Sequence, residues 1–362
     1  MTHLLATISS HGLGHLAQTA PVLNALRRRV PGLRLSVASL LPEARLRARI
    51  DGEFRIEPQG LDFGFVMEDA FRIAREPSAR AYRELHAAWD ERVADTAVWL
   101  ARQQPDLVLA NVAYLPLAAA ARLGIPAYGM SSLNWADLFA HVFAGEAWMP
   151  PIHAQMLQAY RSAAAFIKLS PGMDMPVLPN GRWVAPVARL GRQRRAALRE
   201  RCGAQAADKL VLVAFGGIDA RLPMEDWPCP EGLHWLVPGA WCIEHPRVTA
   251  IEALGWDFSD LIASVDTLIG KPGYGTFVET ACNGTPMLYA ARPGWPEQDV
   301  LIPWLHQHAR AREVSQAALQ LGDLAGELDA LWRLPAPTRV EAHGAEQVAE
   351  LLVDACRGTR RP

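Results

Sequence analysis

Short apolar runs alternate along the chain with stretches of helical periodicity. In the first half the runs are LLATI, LRLSVA, FRIEP, LVLA and IPAYGM. Each is the length of a buried strand. Between them, Leu16 to Val30 places Leu16, Ala20, Leu23, Leu26 and Val30 on one helical face, and Tyr82 to Gln103 reads as a second helix. Strand–helix alternation of this kind predicts parallel sheets covered by helices. The second half starts afresh with KLVLVAFGG, followed by HWLVP, TLIG and PMLYA. The pattern therefore predicts an α/β protein with two Rossmann-like domains facing a cleft.

Proline and glycine mark the boundary. The stretch 168–192 is rich in both and reads as an interdomain connection. We expect a first domain over 1–170, a linker over 171–192 and a second domain over 193–345. A C-terminal helical segment, 346–362, is expected to cross back towards the first domain.

The 362 residues suit two domains, and a formal net charge of −2 gives no general attraction to nucleic acid. No run reaches the roughly 18 apolar residues of a spanning helix. The N-terminus lacks the basic start and long apolar run of a signal peptide. Cysteines 202, 229, 242, 282 and 356 are widely spaced without a CxxC pair, which reads as reduced thiols in a cytoplasmic protein without zinc. Six arginines between Arg189 and Arg201 read as a solvated helix face, with peripheral contact to lipid headgroups or an acidic surface as the alternative.

Three stretches carry candidate chemistry. The first is SSHGLGHL, Ser9 to Leu16, directly after the first strand. Gly12 and Gly14 permit a tight turn and close approach of a ligand, and the following helix offers free N–H groups. A neutral His11 or His15 there is suited to taking a proton from a hydroxyl. A plain glycine turn with two surface histidines fits the same residues. The second is GKPGYGTFVE, Gly270 to Glu279, again between a strand and a helix. Lys271, Gly273, Tyr274, Gly275 and Thr276 surround a helix start that suits a phosphate, although the spacing matches neither a Walker loop nor GxGxxG. Glu279 shares a helix face with Thr276 and suits a pair of sugar hydroxyls. The third is RPGWPEQDVL, where Glu297 and Gln298 set acceptor beside donor for a polyhydroxylated ligand. An exposed loop would carry the same pair. His306 and His308 lack a third ligand nearby and read as a surface helix.

In this order, these pieces resemble the GT-B glycosyltransferases. GHLAQTAPVLNAL is similar to the start of the UDP-glycosyltransferase and MurG type, and GKPGYGTFVETACNGTPMLY is similar to its donor-binding motif. SSHGLGH, LDFGFVMEDAF, SSLNWADLF and LIGKPGYGTFVE together resemble the N-terminal, glycosyltransferase-like region of plant-type L-arabinokinases and its bacterial stand-alone relatives, over most of residues 1 to 310. No counterpart of their kinase domain is expected.

The resemblance implies that His15 activates the acceptor. It implies that Gly216, Gly217 and Gly273 to Thr276 hold the diphosphate, Glu279 the ribose, and Glu297–Gln298 the donor sugar. It further implies an inverting, metal-independent transfer from a nucleotide-sugar co-substrate, UDP-linked by preference, with no separate cofactor. The acceptor is not identified. One position departs from the pattern: where a His–Asp pair has its aspartate, PDLVLAN ends in Asn111. Asn111 can orient His15 without balancing its charge, and Asp62 is the candidate substitute. Two further readings stay open, a nucleotide-sugar hydrolase and a non-catalytic nucleotide-sugar-binding protein.

Overall fold

A computed structural model describes residues 2–217, 221–228 and 230–358; Cys229 lies outside them. The first half forms a sheet of seven strands: β1 (His3–Ile8), β2 (Arg34–Ala38), β3 (Arg55–Glu57), β4 (Leu107–Asn111), β5 (Ala127–Ser131), β6 (Ala165–Leu169) and β7 (Gly181–Val184). Their order is β3-β2-β1-β4-β5-β6-β7, all parallel. The second half forms six: β8 (Lys209–Val213), β9 (Leu233–Val237), β10 (Val248–Ala250), β11 (Thr267–Gly270), β12 (Met287–Tyr289) and β13 (Ala311–Glu313). Their order is β10-β9-β8-β11-β12-β13, also parallel. Strands buried on both faces need continuous apolar runs, and β1, β4, β8 and β11 supply them.

In each sheet the strand order reverses once, between β1 and β4 and between β8 and β11. The connections leave such a pair in opposite directions, and a crevice opens beyond their carboxyl ends. His11, His15 and Asn111 follow β1 or end β4. Gly216, Gly217 and Lys271 to Thr276 follow β8 and β11. The topology thus brings the sequence-predicted loops to the two crevices.

Several elements differ from the sequence reading. The first helix spans Leu13–Arg29, so His15 belongs to its first turn. The expected helix from Tyr82 to Gln103 is two helices, Arg75–Ala87 and Trp89–Gln103, broken at Ala88, whose φ of −108° and ψ of 26° leave the helical region. Within the expected connection, Gly181–Val184 forms β7 and pairs with β6. Its neighbour β6 lacks a clean strand signature because Lys168 interrupts the apolar run. That lysine is buried and donates to the carbonyls of Asp174 and Met175.

Past β7 the chain is pinned on both sides. Val187 N–H donates to the Tyr274 hydroxyl at 2.8 Å, and Gly191 N–H donates to Asn283 Oδ1 at 2.9 Å. The last helix, Gly344–Gly358, packs along Leu13–Arg29. It buries Ala345, Val348, Ala349, Leu352 and Cys356, one helical stripe, and sets Glu346 against Arg28 and Arg29.

Candidate functional site

The two crevices meet in one cleft. It is lined from the first half by His11, Gly12, Gly14, His15, Gln18 and Leu133, and from the second by Phe215, Gly216, Lys271, Gly273 to Thr276, Arg292, Trp295 and Glu297. The halves approach closely. Leu13 N–H donates to the Gly216 carbonyl at 3.0 Å. A Cβ on Gly275 would lie 2.8 Å from Cβ of Ala17, closer than two carbons tolerate, so only glycine lets these two helix starts touch. The enclosed space is about 80 Å³.

On the first wall, His15 Nδ1 lies 2.8 Å from Asn111 Oδ1. The pairing of Ile8 with Asn111 across β1 and β4 sets this distance. Asn111 begins a buried chain of side chains. Its Nδ2 donates to Gln18 Oε1 at 2.9 Å, Gln18 Nε2 donates to Ser132 Oγ at 2.8 Å, and Ser132 Oγ donates to Glu297 Oε1 at 2.6 Å. The polarity of this chain follows from its far end. Burial raises the Glu297 pKa, against hydrogen bonds from Ser132 and Trp295 and the charges of Arg292 and Lys271; with the carboxylate ionised it only accepts, so the Ser132 hydroxyl donates to it and itself accepts from Gln18. Gln18 then offers its oxygen to Asn111, and Asn111 offers its own oxygen to His15. The Ser131 hydroxyl, donating to the same Gln18 oxygen at 3.2 Å, favours the same orientation. His15 therefore carries its proton on Nδ1 and keeps the Nε2 lone pair free.

Burial lowers the His15 pKa to about 4, partly offset by the Asn111 hydrogen bond, so the ring is neutral at pH 7. His11 is held well below the usual range, by burial first and then by Arg292, His15 and Lys271. It stacks on Trp295 at 5.5 Å between ring centres and meets the edge of Trp135 at 5.2 Å. Its Nε2 is sealed from solvent and has no hydrogen-bond partner among the described residues.

Asp62 is not joined to His15. Its carboxylate accepts from Trp135 Nε1 at 2.7 Å and so anchors the ring that packs edge-on against both histidines. Burial raises its pKa to about 6, against hydrogen bonds from Trp135 and Ser9.

The second wall is the start of helix Tyr274–Asn283, whose N-cap is Gly273 with no side-chain cap. Its first N–H groups carry the partial positive charge of a helix start. Gly216 and Gly217 turn beside it with φ of 76° and 82°. Lys271 is 8% exposed, lines the cleft and makes no side-chain hydrogen bond or ion pair among the described residues; burial lowers its pKa well below the usual value. Tyr274 lines the cleft but spends its hydroxyl on the Val187 N–H and the Ser170 carbonyl, which makes it an anchor for the crossing chain.

Glu279 departs most from the sequence reading. It does not line the cleft and is 1% exposed. Both carboxylate oxygens are taken by Arg49 of the first half, at 2.5 and 3.2 Å. A ribose could use it only after displacing that guanidinium. The neighbouring pair separates as well. Glu297 faces the cleft and accepts from Ser132 and from Trp295 Nε1, whereas Gln298 turns away and accepts the Arg292 backbone N–H at 2.7 Å. His306 pairs with the Tyr289 hydroxyl and His308 packs on Trp304, so they do not converge on a common ligand.

Sequence reasoning missed Gln18, Ser132, Trp135, Arg292 and Trp295. Only Gln18 left a local signal: three residues after His15, it falls on the same helix face.

No family model matches the chain. It is 25% identical over 355 residues to L-arabinokinase of Arabidopsis thaliana, covering 97% of this chain and 34% of that protein, so it spans about a third of its relative's length. Among solved structures, Arabidopsis thaliana UGT89C1 complexed with UDP-L-rhamnose aligns with a TM-score of 0.60 at 15% identity, over 98% of this chain and 99% of the other. The glycosyltransferase VinC in complex with dTDP aligns at 0.55 and 17%, over the full length of both chains. The glycotransferase of kitacinnamycin aligns at 0.59 and 15%, over 99% and 95%. The chain has the GT-B glycosyltransferase fold, with distant homology to the N-terminal region of L-arabinokinase.

Proposed function

We propose that the chain is a metal-independent, inverting glycosyltransferase that takes its sugar from a nucleoside diphosphate donor, UDP-linked by preference, and passes it to a hydroxyl. The observation that carries this reading is the free Nε2 of a neutral histidine opposite an uncapped helix start, across one small cleft. His15 Nε2 removes the acceptor proton as the hydroxyl oxygen attacks the anomeric carbon. The bond from that carbon to the diphosphate breaks. The helix-start N–H groups of Gly273 to Thr276, the turn at Gly216–Gly217 and Lys271 stabilise the charge that develops on the leaving oxygen. Asn111 fixes the imidazole tautomer without adding charge.

The donor half, roughly 193–345, binds nucleotide in this reading and the first half, roughly 1–170, binds acceptor. Parting of the two halves admits the donor. The test is a thermal-shift screen over UDP, dTDP, GDP and their sugars. A ligand at 100 times its dissociation constant adds about 2.7 kcal/mol to the folded state. Stabilisation by one nucleotide series, turnover with a hydroxyl acceptor, and loss of turnover in His15→Ala with nucleotide affinity retained are the expected results. Nucleotide release at the same rate without any acceptor would make the chain a hydrolase. Full turnover in His15→Ala would remove the base.

A further inference from the structure

Arg292 is a buried cation in the cleft whose guanidinium touches no carboxylate among the described residues. It is 3% exposed and lines the cleft wall. Its Nε is sealed from solvent and has no acceptor among the described residues. Among the described residues its side-chain partner through nitrogen is the thioether of Met67, at 3.9 Å from Nη2, a weak acceptor. Glu297 and Asp69 act on it through space, but neither carboxylate comes within 4.0 Å, and both are otherwise engaged: Glu297 with Ser132 and Trp295, Asp69 with Arg72. Burial lowers its pKa to about 10, which still leaves it cationic at neutral pH. A buried charge is sustained by a counter-charge, and among the described residues none is in contact with it.

Arg292 is near enough to Lys271 to help lower its pKa, but it comes from a different strand end. Lys271 directly precedes the Gly273 helix start and belongs with the diphosphate. Arg292 follows the next strand over, β12, and leans on the first-half loop through Met67, beside His11. Its guanidinium carbon sits over the Trp295 ring, 3.6 Å from the ring centre. One face is therefore covered, and the edge is what remains to a ligand. That edge is a planar fork that matches a carboxylate through two parallel hydrogen bonds. Neutral sugar hydroxyls would satisfy the N–H groups and leave the charge uncompensated.

We propose that Arg292 is the receptor for a carboxylate at the reacting end of the ligand, so that the substrate on one side of the reaction is a uronic acid. This rests on the glycosyl-transfer reading. The carboxylate has two sources, the sugar being transferred or the acceptor, and the experiment separates them.

Calorimetry on the full chain compares UDP, UDP-glucose and UDP-glucuronate, then free D-glucose and D-glucuronate with and without UDP. The nucleotide chosen by the thermal-shift screen replaces UDP if it differs. The expected result is at least tenfold tighter binding of the acidic member of one pair. Preference in the donor pair assigns the carboxylate to the transferred sugar, and preference in the free-sugar pair assigns it to the acceptor. Arg292→Gln is expected to reduce that preference to less than twofold while UDP affinity stays within threefold. Arg292→Lys, which keeps the charge and loses the fork, should fall between. Equal binding within both pairs by the wild-type chain overturns the proposal, whether or not the variants fold. So does an Arg292→Gln variant that loses UDP affinity as strongly as UDP-glucuronate affinity, because Arg292 would then be a phosphate ligand. Discrimination between free glucuronate and glucose without any nucleotide binding keeps the carboxylate site and removes the nucleotide reading.

Discussion

Replacing Asn111 by aspartate tests the hydrogen-bond chain at its most constrained member. Asn111 is fully buried, with its oxygen on His15 and its amide on Gln18. An aspartate keeps the first contact and turns the second into oxygen against oxygen, 2.9 Å apart. Gln18 can answer only by reversing its amide. Its oxygen then faces Ser132, whose single proton has two acceptors, Gln18 and Glu297. One buried acceptor is left without a donor, at a cost of about 1–3 kcal/mol. A second carboxylate has also been buried in the same network, offset in part by attraction to a protonated His15. We expect a net loss of about 2–4 kcal/mol at pH 7, which for a cooperative unit of about 150–250 residues is a melting temperature lower by roughly 4–16 °C. The His15 pKa should rise from about 4. An adjacent opposite charge moves a pKa by about 1–3 units, so the acid limb of activity moves up by the same interval. Nitrogen-15 NMR of the histidine ring reads both quantities. In the wild type at pH 7 it should find the proton on Nδ1, and in Asn111→Asp a higher titration midpoint. A wild-type ring protonated on Nε2, or an Asn111→Asp variant with unchanged melting, refutes the chain polarity.

Three further outcomes follow from the same contacts. Glu279→Ala leaves Arg49 buried without its partner and should destabilise the fold by about 3–5 kcal/mol, while Arg49→Met with Glu279→Leu should recover most of it; thermal denaturation compares them, and an undisturbed Glu279→Ala variant would show the ion pair to be idle. His15 is neutral when folded, with a pKa of about 4 against 6.5, so its contribution is intact above pH 6.5 and is lost as pH falls towards 4, by about 3 kcal/mol in total. Asp62, raised to about 6, contributes with the opposite sign over its own window, so the test is the difference in pH-dependent stability between wild type and His15→Gln, which should lack the His15 slope. Gly275→Val should force apart the helix starts at Ala17 and cost about 1–3 kcal/mol, read by denaturant titration; equal stability would mean that the two halves do not touch there.

The sequence by itself determined what depends on near neighbours. Alternating apolar runs and helical stripes specified two parallel sheets, because burial on both faces demands continuous apolar strands. The histidines after the first run and the glycines after KLVLVAF and TLIG could be assigned to loops at strand ends, where such sheets form their crevices. Strand breaks and partners were less legible. Edge strands such as β7 and β13 carry exposed polar positions and lack the apolar signature.

Tertiary structure decided which charges meet. Helical spacing put Glu279 on a face with Thr276, yet a carboxylate in a low-dielectric interior takes whatever cation the fold brings to it, and Arg49 lies 230 positions away. The hydrogen-bond chain from His15 to Glu297 joins residues up to 165 positions apart, and its direction is set by the carboxylate at its end. Neither fact has a local signal. A side chain's hydrogen-bonding capacity is written in its type, but its partner is written in the packing of two sheets.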